Sequence, residues 1–410
     1  MMGMKMKKSD IAIMVITILI ASVLFYRAGY VPPKVIEEEP IEKQIPQENL
    51  TVQKPPEPPS SFIIPSRRTL TSIDEGCHYK SILINREWWY FSAIFNDSSE
   101  LDGWGVMISF NHMAYGDLFG QFKPDLLTVV LYDDSGNVYG GMKNDFRGTL
   151  KATTPGVDVK FENSWAEGEY PRWHVHAETR DVGYTEHTVV IDLDFFAHAL
   201  PIWTFNTRLF NESKSKFASY VILGCEVSGQ VTIDGKTYSV GGTGFHGHSW
   251  SPIYLRKFLI GGWDWMQVRL SNGWVLYISK FYPSSKVVAS INPFGALIIS
   301  TGGDSVTEFK IFDLEPKTSE KIFLFTKFPT RFYLSAKKTH NVLLERIDLT
   351  MSLDIKTIST YQKVWKFPTY VGFKVGKCAV NGSISWLDGG QRISVDLDGE
   401  GNVWITRMLP

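Results

Sequence analysis

Short runs of alternating apolar residues, each closed by a cluster of turn residues, make up the chain from Ser60 onward. Two closures are specific, because Asp234-Gly235 and Asn272-Gly273 each separate two such runs. Asp-Gly and Asn-Gly supply the positive φ angles of the tight turns that join antiparallel strands. Apolar residues at helical spacing are rare in the same region. The sequence therefore predicts an all-β, antiparallel fold of the barrel or sandwich type.

The aromatic content and a repeated tryptophan pattern, called here the internal echo, bear on the number of subdomains. Aromatic residues make up 14% of the 410 residues, which suits thick β cores and apolar pockets. Trp88-Trp89 followed by Gly103-Trp104 resembles Trp263-Asp264-Trp265 followed by Gly273-Trp274. A chain of this length also exceeds the usual size of one core. We predict two β subdomains, over residues 61–225 and 226–410, with one very large β domain as the alternative.

An uninterrupted apolar run from Ile11 to Tyr26 follows three lysines near the N-terminus. The run is shorter than the roughly 20 residues that span a bilayer, but residues 28–30 extend it. A good small-x-small cleavage site is missing. We predict an uncleaved, single-pass membrane anchor over residues 1–30, with the globular part outside the cytoplasm. A cleaved signal peptide and a buried soluble helix are the alternatives.

Residues 31–60 are rich in Pro and Glu and have no apolar periodicity. Such a segment cannot bury enough surface to order itself, and its prolines favour extended conformations. It is predicted to be a linker between the anchor and the folded part.

Charge, cysteines and motifs limit the partners. Lys and Arg number 42 against 43 Asp and Glu, so nucleic acid is not an expected partner. Cys77, Cys225 and Cys378 lack zinc-site spacing, and the sequence leaves open whether two of them pair. No nucleophile elbow, P-loop or dinucleotide fingerprint is present. We expect no cofactor.

Three motifs resemble one known family in their order and spacing. They are residues 85–91 (NREWWYF), residues 224–250 with GFHGHSW at their end, and residues 262–265 (GWDW). The chain resembles, over roughly residues 75–400, the lipocalin-related family of carotenoid hydratases (hydroxyneurosporene synthase, CrtC) and AttH-type proteins. The resemblance implies two lipocalin-like antiparallel barrels and apolar substrates handled without metal or organic cofactor. Many members carry an acidic residue where this chain has Gly247, which weakens the transfer of hydratase chemistry.

The densest polar and aromatic cluster surrounds His248 and Asp264. Adding water to an alkene needs a proton donor, a base and an environment that stabilises a cation, so these two residues are our catalytic candidates. The candidate ligand-binding residues are Trp250, Trp263, Trp265, Tyr277, Glu87 and Trp89. The structural alternative is that His248 and Asp264 hydrogen-bond each other or the backbone, and that Glu87 pairs with Arg86.

Strand geometry adds a restriction, because Trp263 and Trp265 share one strand face and Asp264 lies on the other. Either a bulge re-aims Asp264 toward the tryptophans, or Asp264 alone faces the pocket while the tryptophans pack between the barrels. His246 and His248 share a face too, as do His174 and His176. Neither pair has clear further ligands, and no metal is expected.

Two function classes follow. The first is a membrane-anchored binder or carrier of a hydrophobic molecule, a lipid or an isoprenoid. The alternative is a cofactor-independent hydratase, isomerase or cyclase acting on a carotenoid-like or other isoprenoid substrate. A purely structural surface protein is a third class. The oligomeric state is left open.

Overall fold

The structure is a computed structural model, and it describes residues 55–58, 70–80, 86–96, 99–113, 124–180, 185–206, 218–251, 260–283, 294–302, 305–323, 326–342, 345–365 and 371–408. The predicted anchor over residues 1–30 and most of the predicted linker lie outside these ranges. Within them, no helix has the length and apolarity needed to cross a bilayer.

Strands form two antiparallel sheets, and the first has twelve of them. They are β1 (Arg86–Phe95), β2 (Gly105–His112), β3 (Asp125–Tyr132), β4 (Val138–Asp145), β5 (Leu150–Ala152), β6 (Val157–Phe161), β7 (Ser164–Glu169), β8 (Arg172–Arg180), β9 (Thr188–Ala197), β10 (Pro201–Asn206), β11 (Ala218–Ile233) and β12 (Lys236–Ser251). Their spatial order is β4-β3-β2-β1-β12-β11-β9-β8-β7-β6-β5, with β10 paired to β11. The sheet curls, so that edge strand β4 contacts β8 and β9.

Ten strands form the second sheet. They are β13 (Ile260–Leu270), β14 (Val275–Pro283), β15 (Phe294–Gly302), β16 (Ser305–Phe309), β17 (Phe312–Phe323), β18 (Thr326–Val342), β19 (Glu345–Trp365), β20 (Val371–Asp388), β21 (Gln391–Asp396) and β22 (Gly399–Met408). Their order is β16-β15-β14-β13-β22-β20-β19-β18-β17, with β21 paired to β20. The prediction of an all-β, antiparallel fold is confirmed.

Both specific turns lie where the sequence predicts them. Asp234 and Gly235 join β11 to β12 with φ angles of 48° and 87°, and Gly273, at φ 85°, lies in the turn from β13 to β14. These angles are the ones that tight hairpins require. The turn residues thus fix the register of two long hairpins.

The internal echo corresponds to equivalent strands. β1 pairs with both β2 and β12, and β13 pairs with both β14 and β22, so each tryptophan-rich strand joins the first hairpin of its sheet to the last strand. The change from one sheet to the other falls between residues 251 and 260. The expected division at residue 225 lies inside β11, whose full length belongs to the first sheet, because β11 and β12 form one hairpin that returns the chain to β1.

Each sheet surrounds its own apolar core, and a third apolar layer fills the space between the sheets. In the first core Trp89, Phe91 and Phe95 of β1 point inward. The layer between the sheets buries the opposite faces of β2 and β3 through Met107 and Tyr132. Every residue of β2 and β3 is consequently buried, which explains their nearly continuous apolar sequences.

Polar contacts also connect the two sheets. Ser92 Oγ donates a hydrogen bond to Gln267 Oε1 at 2.9 Å, and a guanidinium nitrogen of Arg269 donates to Thr243 Oγ1 at 2.8 Å. Lys377 Nζ donates to the carbonyl oxygen of Gly103 at 2.7 Å. Buried polar atoms with partners of this kind hold one relative placement of the two sheets.

A short helix, α1 (Ser72–Glu75), lies against the first core. Trp89 Nε1 donates a hydrogen bond to the carbonyl oxygen of Glu75 at 2.9 Å, and Trp173 Nε1 donates to its carboxylate at 2.8 Å. The helix therefore brings buried polar groups into an otherwise aromatic interior.

Candidate functional site: a cleft between the sheets

The principal candidate site is a cleft between the two sheets, with a volume of about 100 Å³. Nine of its nineteen described lining residues are aromatic. The first sheet contributes the rings of Trp88 and Tyr90, and the second contributes Trp263, Trp265, Tyr277, Phe281, Phe373 and Trp404. Trp250 also borders the cleft, but its ring packs on the core side of β12 against His78 and His248. Neither sheet forms the cleft alone.

Strand alternation explains why these side chains meet. Trp88 and Tyr90 lie on the face of β1 that points away from the first core, because their neighbours Trp89 and Phe91 point into it. The Trp88 and Trp263 rings are parallel with centroids 6.4 Å apart, and the Tyr90 ring meets Trp265 edge-on at 5.1 Å. Flat rings from both sheets thus form one continuous apolar wall.

A polar margin accompanies this wall. It consists of Arg86, Ser109, Asn111, Ser219, Ser249, Ser251 and Ser279. The Arg86 guanidinium lies 5.2 Å from the Trp88 ring centre and 5.9 Å from that of Trp263. Among the described lining residues there is no Asp, Glu or His. The described residues of the cleft can therefore offer hydrogen bonds to a ligand, but they include no carboxylate or imidazole for proton transfer.

Two phenols are the weakly acidic groups of the wall. Burial raises the pKa of Tyr90 well above its ordinary value and that of Tyr277 to about 12, although hydrogen bonds involving Trp265 lower both. Both hydroxyls therefore stay protonated at neutral pH and act as hydrogen-bond donors. Tyr90 owes its position to Gly247, since a Cβ atom at residue 247 would overlap the Tyr90 hydroxyl.

Asp264, a predicted catalytic residue, lies outside the cleft. Its side chain is fully buried on the core side of β13, where Arg407 donates to both carboxylate oxygens at 2.6 and 3.0 Å. Tyr282 donates a further hydrogen bond at 2.7 Å. The strand is regular at this point, so no bulge turns Asp264 toward the tryptophans. The second arrangement is correct in packing Trp263 and Trp265 between the sheets, but Asp264 faces Arg407 and not the cleft. Asp264 has the geometry of a structural ion pair.

His248 lies in the first core, on the opposite side of β12 from the cleft. Its Nε2 atom is 2.9 Å from Glu87 Oε1, its Nδ1 atom is 3.1 Å from the carbonyl oxygen of Asp74, and its ring stacks on Trp89 at 4.6 Å. His248 and Asp264 therefore occupy the interiors of different sheets. The predicted catalytic pair is not brought together.

Glu87 and Trp89 accompany His248 in the first core rather than facing a ligand in the cleft. Glu87 accepts a hydrogen bond from the backbone N–H of His78 at 2.8 Å and lies 3.6 Å from the Cys77 sulfur. Burial raises the pKa of Glu87, but its hydrogen bonds and favourable charge interactions with the two histidines outweigh this and hold the pKa below the ordinary value. Glu87 is a buried carboxylate, and it does not pair with Arg86, which lines the cleft on the opposite strand face.

Four predicted ligand-binding residues do line the cleft: Trp250, Trp263, Trp265 and Tyr277. Arg86, Trp88 and Tyr90 were not predicted. Strand β1 is almost entirely buried, so its composition does not distinguish its two faces. The alternation of side chains along β1 was the available signal. Since Glu87 and Trp89 share one face of the strand, Trp88 and Tyr90 must share the other face.

The other histidines that were considered as metal ligands have separate partners. His246 lies 3.3 Å from the Tyr220 hydroxyl and does not approach Asp264. His174 and His176 pair with Asp194 and Asp192 at 2.8 and 2.9 Å on the outside of the first sheet. Cys77, Cys225 and Cys378 are all free thiols.

Solved structures with a similar fold agree with this architecture. A protein provisionally identified as AttH from Nitrosomonas europaea is 16% identical with a TM-score of 0.54, and the match covers 86% of this chain and 98% of that one. Kievitone hydratase from Nectria haematococca is 11% identical with a TM-score of 0.50, over 83% of this chain and 96% of that one. No family model and no curated protein matches the sequence. The likeness establishes a lipocalin-like, all-β fold shared with these proteins.

Proposed function

We propose that the protein binds an elongated hydrophobic molecule, a lipid or isoprenoid, in the cleft between its sheets and carries it beside the membrane to which residues 1–30 anchor it. The observation that carries this proposal is the continuous aromatic wall built by both sheets, with its polar margin. Apolar pockets with a few placed polar groups are the usual form of a small-molecule site.

The wall fits one flat part of an elongated ligand, since about 100 Å³ is less than the roughly 300–1,000 Å³ of most small-molecule sites. Burial of apolar surface contributes about 25 cal/mol per Å², so contact with several large rings gives useful affinity to a molecule without charges. The hydroxyls of Ser249 and Ser251 at the margin can bind one polar end of such a molecule. This arrangement orients the ligand along the cleft.

Binding without acid–base chemistry is favoured by the position of the ionisable groups. Asp264 is engaged by Arg407, and His248 lies behind the strand that forms the wall. The described wall residues offer only phenols and one guanidinium as ionisable groups. A carrier needs none of them to transfer a proton.

A second candidate, a hydratase or cyclase, is favoured by Tyr90 and Tyr277, two phenols among the residues that line the cleft. In this version a phenol hydrogen-bonds an oxygen that gains negative charge during the reaction. The fold shared with a kievitone hydratase supports this candidate as well.

The test uses the full-length chain in mild detergent. Organic extraction and mass spectrometry identify a co-purified molecule, and parinaric acid, a fluorescent linear polyene, serves as the binding probe. Trp265→Ala should weaken probe binding about tenfold or more, corresponding to 1.4 kcal/mol. Trp165→Ala, a matched change on a ring that packs on His174 at the outside of the first sheet, should leave binding unchanged.

Tyr90→Phe separates the two candidates. A carrier should bind the extracted molecule with nearly the same affinity after this change, and an enzyme should lose turnover of it while retaining binding. Equal probe affinity for wild type and Trp265→Ala, both folded, would show that the cleft is not the binding site.

A further inference from the structure

We propose that His78, Glu87 and His248 form a zinc-type divalent metal site inside the first sheet. One nitrogen of each histidine and one carboxylate oxygen all lie within 4.8 Å of one another. Glu87 and His248 are fully buried, and the His78 side chain is 15% exposed. Two histidines and one glutamate are a common ligand set for zinc in proteins.

The distances between the three candidate ligand atoms are already close to those of a zinc site. His78 Nδ1 is 3.3 Å from Glu87 Oε1, and His248 Nε2 is 2.9 Å from the same oxygen. Ligand atoms about 2.0–2.1 Å from a tetrahedral zinc ion are about 3.3 Å from each other. Small side-chain movements therefore suffice to admit the ion.

His248 is already oriented as a ligand. Its Nδ1 atom faces the carbonyl oxygen of Asp74 at 3.1 Å, and that oxygen can only accept a hydrogen bond. When Nδ1 donates its hydrogen to this carbonyl, Nε2 directs its lone pair at the Glu87 carboxylate, so a cation is needed between these two acceptors. A metal-binding histidine typically donates its second N–H to a backbone carbonyl in this way, which fixes its tautomer.

His78 supplies the second, independent observation. Its Nδ1 atom is buried and has no hydrogen-bond partner among the described residues, although it lies close to Glu87. Its ring is stacked on Trp250 with centroids 3.8 Å apart, so the lone pair is held in place. A buried ring nitrogen that is fixed and without a hydrogen bond is suited to a cation.

The surroundings complete the site. Cys77 directs its thiol at the second carboxylate oxygen, Oε2, which leaves Oε1 toward the two histidines. Trp89 and Trp250 form an apolar shell. The ion would join the segment after α1 to β1 and β12, so its role is to hold this segment against the first core rather than to act in the cleft.

The experiment uses the full-length chain without a polyhistidine tag, in detergent and after dialysis against a chelator. Zinc binding is measured by competition with a chromophoric chelator and by elemental analysis. Wild type should bind one zinc per chain, and its melting temperature should rise with zinc. His78→Ala should weaken this binding about 100-fold or more, since loss of an outer partner alone weakens metal sites by about 10–100-fold.

A double variant, His174→Ala with His176→Ala, is the matched control for adventitious binding at a histidine pair. This variant should still bind one zinc ion per chain as tightly as wild type. Cobalt added to wild type should give the intense visible absorption of a four-coordinate complex, a readout that needs no variant. Absence of stoichiometric zinc and of this absorption in the folded wild type would overturn the proposal, and would mean that a proton, not a metal, lies between His248 and Glu87. Retention of tight binding by folded His78→Ala would overturn it as well.

Discussion

Tyr90 and Gly247 are register partners on β1 and β12, and the phenol of Tyr90 occupies the space that a side chain at residue 247 would need. The backbone oxygen of Tyr220, 2.7 Å from an ideal Cβ at 247, closes the same space from the other side. A phenol therefore fills the space beside residue 247. At this point the described wall of the cleft has a neutral hydrogen-bond donor.

Gly247→Ala should destabilise the protein by about 1–3 kcal/mol, because the Tyr90 ring must shift and the sheet cannot. Chemical denaturation measures the change, and probe binding reports the shift of Tyr90. Gly224→Ala is the matched control, since its nearest neighbour is the Ala199 methyl group at 3.3 Å. Equal stability of the two variants would contradict the packing that we describe.

Asp264→Asn should lower the free energy of unfolding by about 3 kcal/mol, because the Arg407 guanidinium keeps its burial and loses its charge partner. Ligand binding by the folded variant should be unchanged. Asp354→Asn breaks a similar two-oxygen pair with Arg331 at the surface and should cost less than about 1 kcal/mol. Loss of binding or turnover in a normally stable Asp264→Asn would restore Asp264 as a functional residue.

Glu75 should make stability depend on pH. Burial raises its pKa from 4.5 to about 7, against hydrogen bonds from the Tyr170 backbone and Trp173. The folded state therefore binds more protons than the unfolded state between these values, and this contribution to stability is lost as the pH rises from 4.5 through 7. Denaturation curves should show the stability difference, wild type minus Glu75→Gln, falling by up to about 3 kcal/mol across this range. A constant difference would contradict the raised pKa.

Membrane topology is tested on intact cells. If residues 1–30 are an uncleaved anchor with a cytoplasmic N-terminus, external protease should remove residues 60–410, and the purified chain should begin at its first residues. Deletion of residues 1–30 should release the domain from the membrane fraction. Full protection from protease, or a mature N-terminus near residue 24, would refute this topology.

Local sequence predicted the turns and strands well and the faces of the strands poorly. Asp234-Gly235 determines its turn by backbone angles alone, so no tertiary information is needed. In Trp263-Asp264-Trp265, alternation correctly separates the carboxylate from the tryptophans. It cannot say which face meets the cleft, since that depends on the second sheet packing against the first. The Arg407 partner of Asp264 lies 143 residues away and carries no local signal.

His78 was not predicted as a site residue, because its partners too are distant in sequence. It precedes β1 as a single histidine without a motif, and only the pairing of β1 with β12 brings Glu87 and His248 to it. Spacing rules identify metal ligands that are close in sequence. A set assembled by a long-range strand pair is outside their reach.

The pairing of Arg86 with Ser251 at the end of β1 and β12 also sets an order for synthesis and folding. The first sheet cannot be completed until the ribosome has produced residue 251, and the outward faces of β2 and β3 stay uncovered until β20 and β22 exist. Such long-range pairing slows folding and exposes apolar strands to other chains meanwhile. A newly made chain should therefore depend on a chaperone over most of its length, and fragments ending before residue 371 should aggregate.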